Sequence, residues 1–199
     1  MCTGPDGRKV FSDLPCGDDA KLIDVRPASG GTAVNPSTTY ANEYYDIRGI
    51  TFPDLQREIQ AKGPEGKWWG TASTRLRFEI KMKPSAGGCA IDSAHAMADS
   101  TVRLPRWVNR HDGDRRTQEL WDGAFRSLDL HERGHVQISL QIAQDLERAL
   151  REIPPAASCE DVVAQAKARG EALNKRERDR QVSYDRETNH GLTQWTPYK

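Results

Sequence analysis

The sequence predicts an α+β fold, a small antiparallel or mixed sheet packed on one long helix and further helices, and three stretches predict it. From Arg75 to Lys83, Leu76, Phe78, Ile80 and Met82 alternate with Arg77, Glu79 and Lys81, the period of a strand with one buried and one wet face. Past His135 the period changes. Ile138, Ile142, Leu146, Leu150 and Ile153 recur three and four apart, and Gln141, Gln144, Asp145, Glu147, Arg148, Arg151 and Glu152 fill the other positions, as in an amphipathic helix buried along one side. Pro154-Pro155 stops that helix. Ser158 then caps another, marked by Val162, Val163, Ala166 and Leu173, whose charged run NKRERDRQ reads as a solvated face.

Taken in order, residues 1–38 read as a small N-terminal module with a linker, and residues 39–199 as the main domain. GPDG and LPCGDD are turn chemistry around a short strand, Lys9 to Ser12. Such a piece cannot bury a core alone and needs a staple. Its cysteine, aspartate-glycine turn, Phe-Ser-Asp step and Pro-Cys resemble a small disulfide-closed module at the start of many bacterial envelope proteins. PASGGTAVNPSTT is linker composition. Tyr44 to Ile47 reads as a short strand, and Thr51-x-x-Asp54 with Pro53 in the first turn opens a helix carrying Leu55 and Ile59, stopped by Gly63-Pro64. Gly87-Gly88 turns the strand of Arg75–Lys83 into a weakly apolar partner, Cys89 to Leu104. Within it, Ile91 to Asp99 is the candidate edge strand that would hold a substrate by backbone pairing. Pro105-Arg106-Trp107 ends the sheet. From about Asp114 the pattern is helical, with Leu120, Ala124 and Leu128 on one stripe and Trp121 and Phe125 beside it. The spacing leaves open whether this helix runs unbroken into His131.

Composition narrows the classes. Lys+Arg and Asp+Glu are both 29, so no net field draws nucleic acid or an anionic membrane. No apolar run approaches the ~20 residues of a membrane span. The opening MCTGPDGRKV carries no leader pattern, so an exported form, periplasmic or secreted, is expected to be a processed one. Four cysteines, widely spaced and without a C-x-x-C pattern, suggest disulfides: Cys2 with Cys16, and Cys89 with Cys159, tying the sheet to the region after the histidine helix. Four reduced buried thiols, or Cys2 as a lipid-attachment site, are the alternatives.

The chemistry concentrates in His131-Glu132-Arg133-Gly134-His135. Residues four apart share a helix face, so His131 and His135 can direct two imidazoles at one Zn²⁺, with Glu132 flanking the open position as general base. Gly134 costs such a helix about 1 kcal/mol relative to Ala, which suggests that something approaches the backbone closely there. A catalytic zinc site needs a third protein ligand. His190 leads, since imidazole suits zinc and Asn189-His190-Gly191 reads as a turn past a helix end; Asp185 and Glu187 follow, then Glu160 or Glu171. His95 and His111 are expected to be surface or sheet residues. Tyr184 is a candidate to stabilise an oxyanion.

YYDIRGITFPDLQ, WWGTASTRLRF, GGCAID, VRLPRW, HERGH, SCEDV and YDRETNHG stand in an order that resembles a family of predicted secreted bacterial zinc-dependent proteases, labelled domain of unknown function nine-two-two. The resemblance spans Tyr40 to Gly191. It implies a zincin-like fold centred on the His-Glu-x-x-His helix, with His131, Glu132 and His135 in the site and His190 as third ligand. The expected activity is therefore hydrolysis of a peptide or protein substrate by a Zn²⁺-activated water, Glu132 taking the proton. Two alternatives are a catalytically silent zinc-binding interaction protein of the cell envelope and a hydrolase of cell-wall peptide crosslinks.

Overall fold

The structure, a computed structural model, describes residues 37–66 and 68–194 together with the backbone of Cys2–Thr3 and Lys9–Val10. The chain forms two units, Met1–Ala33 and Val34–Lys199. In the first, strands β1 (Cys2–Thr3) and β2 (Lys9–Val10) pair antiparallel, Cys2 opposite Val10. The expected Cys2–Cys16 bridge lies outside the described residues.

The second unit is α+β, with a mixed three-stranded sheet in the order β3-β5-β4. Strand β3 (Ser37–Ile47) runs parallel to β5 (Gly88–Trp107), and β4 (Thr71–Ser85) pairs antiparallel with β5. The hairpin closes at Ser85 opposite Gly88, and Gly87 takes φ +87°, the conformation that makes glycine the natural choice there. Along β4, Leu76, Phe78 and Ile80 face inward as their alternation requires. Met82 does not. A register shift after Lys81 leaves Asp92 as an extra residue on β5, and Met82 is 41% exposed.

Strand β5 buries Ala94, Ala96, Ala98, Ser100, Val102 and Leu104 on alternate positions. Three successive alanines explain its weak apolar signal: a strand of small side chains lets helices lie close on the sheet. They meet Ala143, Leu146 and Leu150 of helix α2 (Arg115–Arg151) and Val162 and Ala166 of helix α3 (Cys159–Thr188). Of the stretch Ile91–Asp99, expected as an edge strand, Met97–Asp99 lies between β3 and β4, whereas among the described residues Ile91–Ala96 is paired by β4 on one side alone.

Helix α1 (Phe52–Lys62) has the capping box read from Thr51 and Asp54, whose side chain accepts from the Thr51 N–H at 3.0 Å. It buries Leu55 and Ile59 against Tyr45, Ile47, Trp107 and Trp121. Helix α2 is one unbroken helix of 37 residues, capped by Asp114, which accepts from the Thr117 N–H at 2.7 Å. Its first turns bury Thr117 and Trp121 rather than the Leu120 stripe, because the indole edge of Trp121 packs on Trp107. Glu147, read as a solvated position, is also buried. It accepts the Ala96 N–H at 3.0 Å and pairs with Arg151 at 2.5 Å.

Helix α3 starts at the Ser158 cap and runs back antiparallel to α2: partners pair as 145 with 176, 139 with 177, and 135 with 181. Its start is fixed to the sheet by the expected Cys89–Cys159 disulfide and by two 2.9 Å backbone hydrogen bonds between Cys89 and Ala156. Within the run read as solvated, Glu177 and Gln181 face α2 and are partly buried.

Candidate metal centre

The i, i+4 spacing on α2 sets the His131 and His135 rings edge to face, with centroids 4.7 Å apart and Nε2 atoms 3.1 Å apart. Asp185, on the facing turn of α3, completes a triangle. Its Oδ1 lies 3.2 Å from His131 Nε2 and 3.0 Å from His135 Nε2. His131 is 4% exposed. Burial, and then the neighbouring His135, hold its pKa below the usual imidazole value, which favours the neutral ring, the form able to bind a metal.

The rings are held from behind. His135 Nδ1 lies 2.6 Å from Gln181 Oε1, and His131 Nδ1 lies 3.2 Å from Thr188 Oγ1. Tyr184 stacks on His131 almost in parallel, at 5.1 Å between centroids and 9° between planes. Its hydroxyl accepts from Gln194 Nε2 at 3.0 Å and passes directly over Gly134, where a Cβ would come within 1.9 Å of it. This is the close approach that the glycine implied. Past α3 the chain turns left-handed at three successive residues, Asn189, His190 and Gly191 (φ 48°, 52° and 85°). The turn packs Gly191 against His131, a Cβ there standing 3.0 Å from His131 Cβ, and its carbonyl accepts from Ser127 Oγ at 2.9 Å.

Glu132 is 4% exposed. It accepts the Ala72 backbone N–H at the start of β4, and Gly70 leaves room for its Oε1. Burial first, and then the charge of Asp185, push its pKa up to about 7.

The remaining candidates lie outside this triangle. His190 is half exposed, packs at a tilt against Trp68 with 4.7 Å between centroids, and has its Nδ1 3.7 Å from Asp185 Oδ1. It stands beside the triangle while Asp185, the runner-up in sequence, occupies the third corner. Glu187 pairs with Arg180 at 2.8 Å, and Glu160 and Glu171 are exposed. His95 lies on β5, its Nδ1 3.4 Å from Glu147, and His111 is exposed beside Asp112. A cleft of about 330 Å³ lined by Val182, Asp185, Arg186, Asn189 and His190 opens on the outer side of Asp185.

These residues fit a metal ion. Ligand atoms at ~2.0–2.1 Å from a tetrahedral ion lie about 3.3 Å from one another, and the three edges here are 3.1, 3.2 and 3.0 Å. Among the described residues, His131, His135 and Asp185 are the group of His, Cys, Asp and Glu that could hold one. Fold and site thus define an α+β protein with a helix-borne candidate metal centre. The chain belongs to the family described as bacterial protein of unknown function (DUF922), whose pattern it matches over residues 42–191. No curated protein and no solved structure matches it.

Proposed function

We propose that the protein is a zinc-dependent metallopeptidase of zincin-like type, with His131, His135 and Asp185 as metal ligands and Glu132 as general base. The observation that supports this most is the meeting of two Nε2 atoms and one carboxylate oxygen at 3.0–3.2 Å, directly beside a buried glutamate of the same helix. Two imidazoles and a carboxylate suit zinc, and an ion held by these three residues would remain open to water or substrate. A bound zinc ion would lower the pKa of its water towards ~7 and polarise the scissile carbonyl.

The chain's own residues carry the rest. Glu132, held by the Ala72 N–H, takes the proton of the attacking water and passes it to the leaving amine. Tyr184 walls the His131 ring, and its hydroxyl, which accepts from Gln194 Nε2, keeps an O–H to donate to a developing oxyanion. Among the described residues no helix is long and apolar enough to cross a membrane, and the Cys89–Cys159 disulfide supports an oxidising, extracytoplasmic compartment.

The test separates ligand from base. Glu132→Gln is expected to retain stoichiometric zinc and lose chelator-sensitive cleavage of a peptide library. A variant that still cleaves at the parental rate would remove Glu132 from the mechanism.

A further inference from the structure

The ring nitrogens of His131 and His135 that face each other can bind a cation only if both are free of protons. Neutral imidazole carries one proton, on Nδ1 or on Nε2. Asp185 pulls it the wrong way, because a carboxylate oxygen 3.0 Å from His135 Nε2 would accept an Nε2–H and so fill the ligand position. Something must hold the proton on the far side of the ring.

Gln181 can do this because its amide is oriented. Its Nε2 has three acceptors in reach: Glu177 Oε1 at 2.7 Å, Ser139 Oγ at 2.9 Å and the His135 carbonyl at 3.1 Å. Rotating the amide by half a turn would set its oxygen against the Glu177 carboxylate and that carbonyl, so the oxygen is committed to the opposite side, where His135 Nδ1 lies 2.6 Å away. An amide oxygen only accepts, so Nδ1 donates. Thr188 treats His131 alike: its hydroxyl donates to the Tyr184 carbonyl at 2.7 Å, leaving Oγ1 to accept from His131 Nδ1 at 3.2 Å.

We infer that Gln181, aligned by Glu177, is a positioning residue that fixes the Nδ1–H tautomer of His135 and thereby keeps its Nε2 open to metal, with Thr188 in the same role for His131. The chain Glu177–Gln181–His135 is then a carboxylate–histidine relay with an amide inserted as spacer. The relay rests on the proposed metal site, but its protonation pattern is present without metal. Partners of this kind are worth about 10–100-fold in metal affinity.

The experiment uses the full chain, in which Gln181→Met removes the acceptor at nearly constant shape. Long-range ¹H–¹⁵N NMR of the metal-free protein, at a pH above the imidazole range, is expected to find the His135 proton on Nδ1 in the parent and on Nε2, facing Asp185, in Gln181→Met. Competition with a chromophoric chelator should show zinc bound at least about tenfold more weakly by the variant. The exchange Glu177→Gln with Gln181→Glu keeps an acceptor on Nδ1 and should restore the affinity. Thr188→Val gives the same shift at His131 if Gln181→Met does not fold. An Nε2 proton on His135 in the metal-free parent, or zinc affinity of Gln181→Met within about twofold of the parent, overturns the inference. If the parent takes up no zinc, the proposed function fails, while the tautomer of His135 still decides the role of Gln181.

Discussion

At one end of the α2–α3 pair, Leu146, Leu150 and Ile153 meet Val162 and Ala166 next to the Cys89–Cys159 disulfide. At the other, His131, His135 and Ser139 meet Glu177, Gln181, Asp185 and Thr188, in a cluster where nearly every contact is polar. The same two helices thus carry two kinds of interior. The apolar end supplies stability, since each buried aliphatic side chain is worth about 1.5–3 kcal/mol. The polar end supplies little, because its groups leave water only to meet partners of similar strength. A stable end and a polar end are joined by rigid helices, so His131, His135 and Asp185 are held in a fixed triangle that their own interactions would not sustain.

That division can be broken from either side. The largest effect is expected at the polar end: His135→Ala should drop zinc content from stoichiometric to background, read by elemental analysis, while the metal-free protein keeps most of its unfolding free energy. The disulfide end should behave in the opposite sense. Replacing both Cys89 and Cys159 by alanine, across a sequence separation of 70, should cost about 4 kcal/mol in urea unfolding, with zinc affinity of the folded protein retained. Leu150→Ala, fully buried in the same cluster, should cost about 2–5 kcal/mol and likewise leave the metal site intact. A loss of zinc in either variant would show that the two ends are not separable.

Gly134→Ala sharpens the boundary. In an open helix it would gain about 1 kcal/mol, but a Cβ here meets the Tyr184 hydroxyl at 1.9 Å. The sign should reverse to a net loss of about 1–3 kcal/mol, as for overpacking, with zinc affinity falling as Tyr184 shifts off His131. The smallest effect lies outside both ends. Hydrogen bonds from Thr51 hold the Asp54 carboxyl down at about 2 instead of 3.8. A depressed carboxylate adds stability that is complete above 3.8 and is lost as pH falls through about 2. Unfolding curves of the parent and Asp54→Asn should therefore converge across that window and stay apart above it.

Much of this was readable from the chain. Thr51 and Asp54 announce α1 because a capping box is local, and Gly87 announces the hairpin for the same reason. His131, Glu132 and His135 were legible because one helix carries all three. Other features depend on tertiary partners. The first residues of β3, STTYANE, show no apolar alternation and become strand by pairing with β5. Glu147 carries a charge, yet it follows Ala143 by four and precedes Leu150 by three, a spacing that places it on the buried face. Gln181 was hidden inside a charged run, although Glu177, Gln181, Asp185 and Thr188 recur at three and four, the stripe α3 turns towards α2. The sequence ranks His190 above Asp185, because imidazole suits zinc and residue type is all a sequence shows; the left-handed turn at Asn189–Gly191, which sets His190 beside the triangle while Asp185 meets the histidines, depends on the folded chain.

Zinc-edge X-ray absorption on the reconstituted full chain decides the proposed ligand set. Two imidazole nitrogens and one carboxylate oxygen from the protein are expected at ~2.0–2.1 Å, with the carboxylate signal lost in Asp185→Ala and kept in His190→Ala. A site with three imidazoles that survives Asp185→Ala but not His190→Ala, or no bound zinc at saturation, would contradict it.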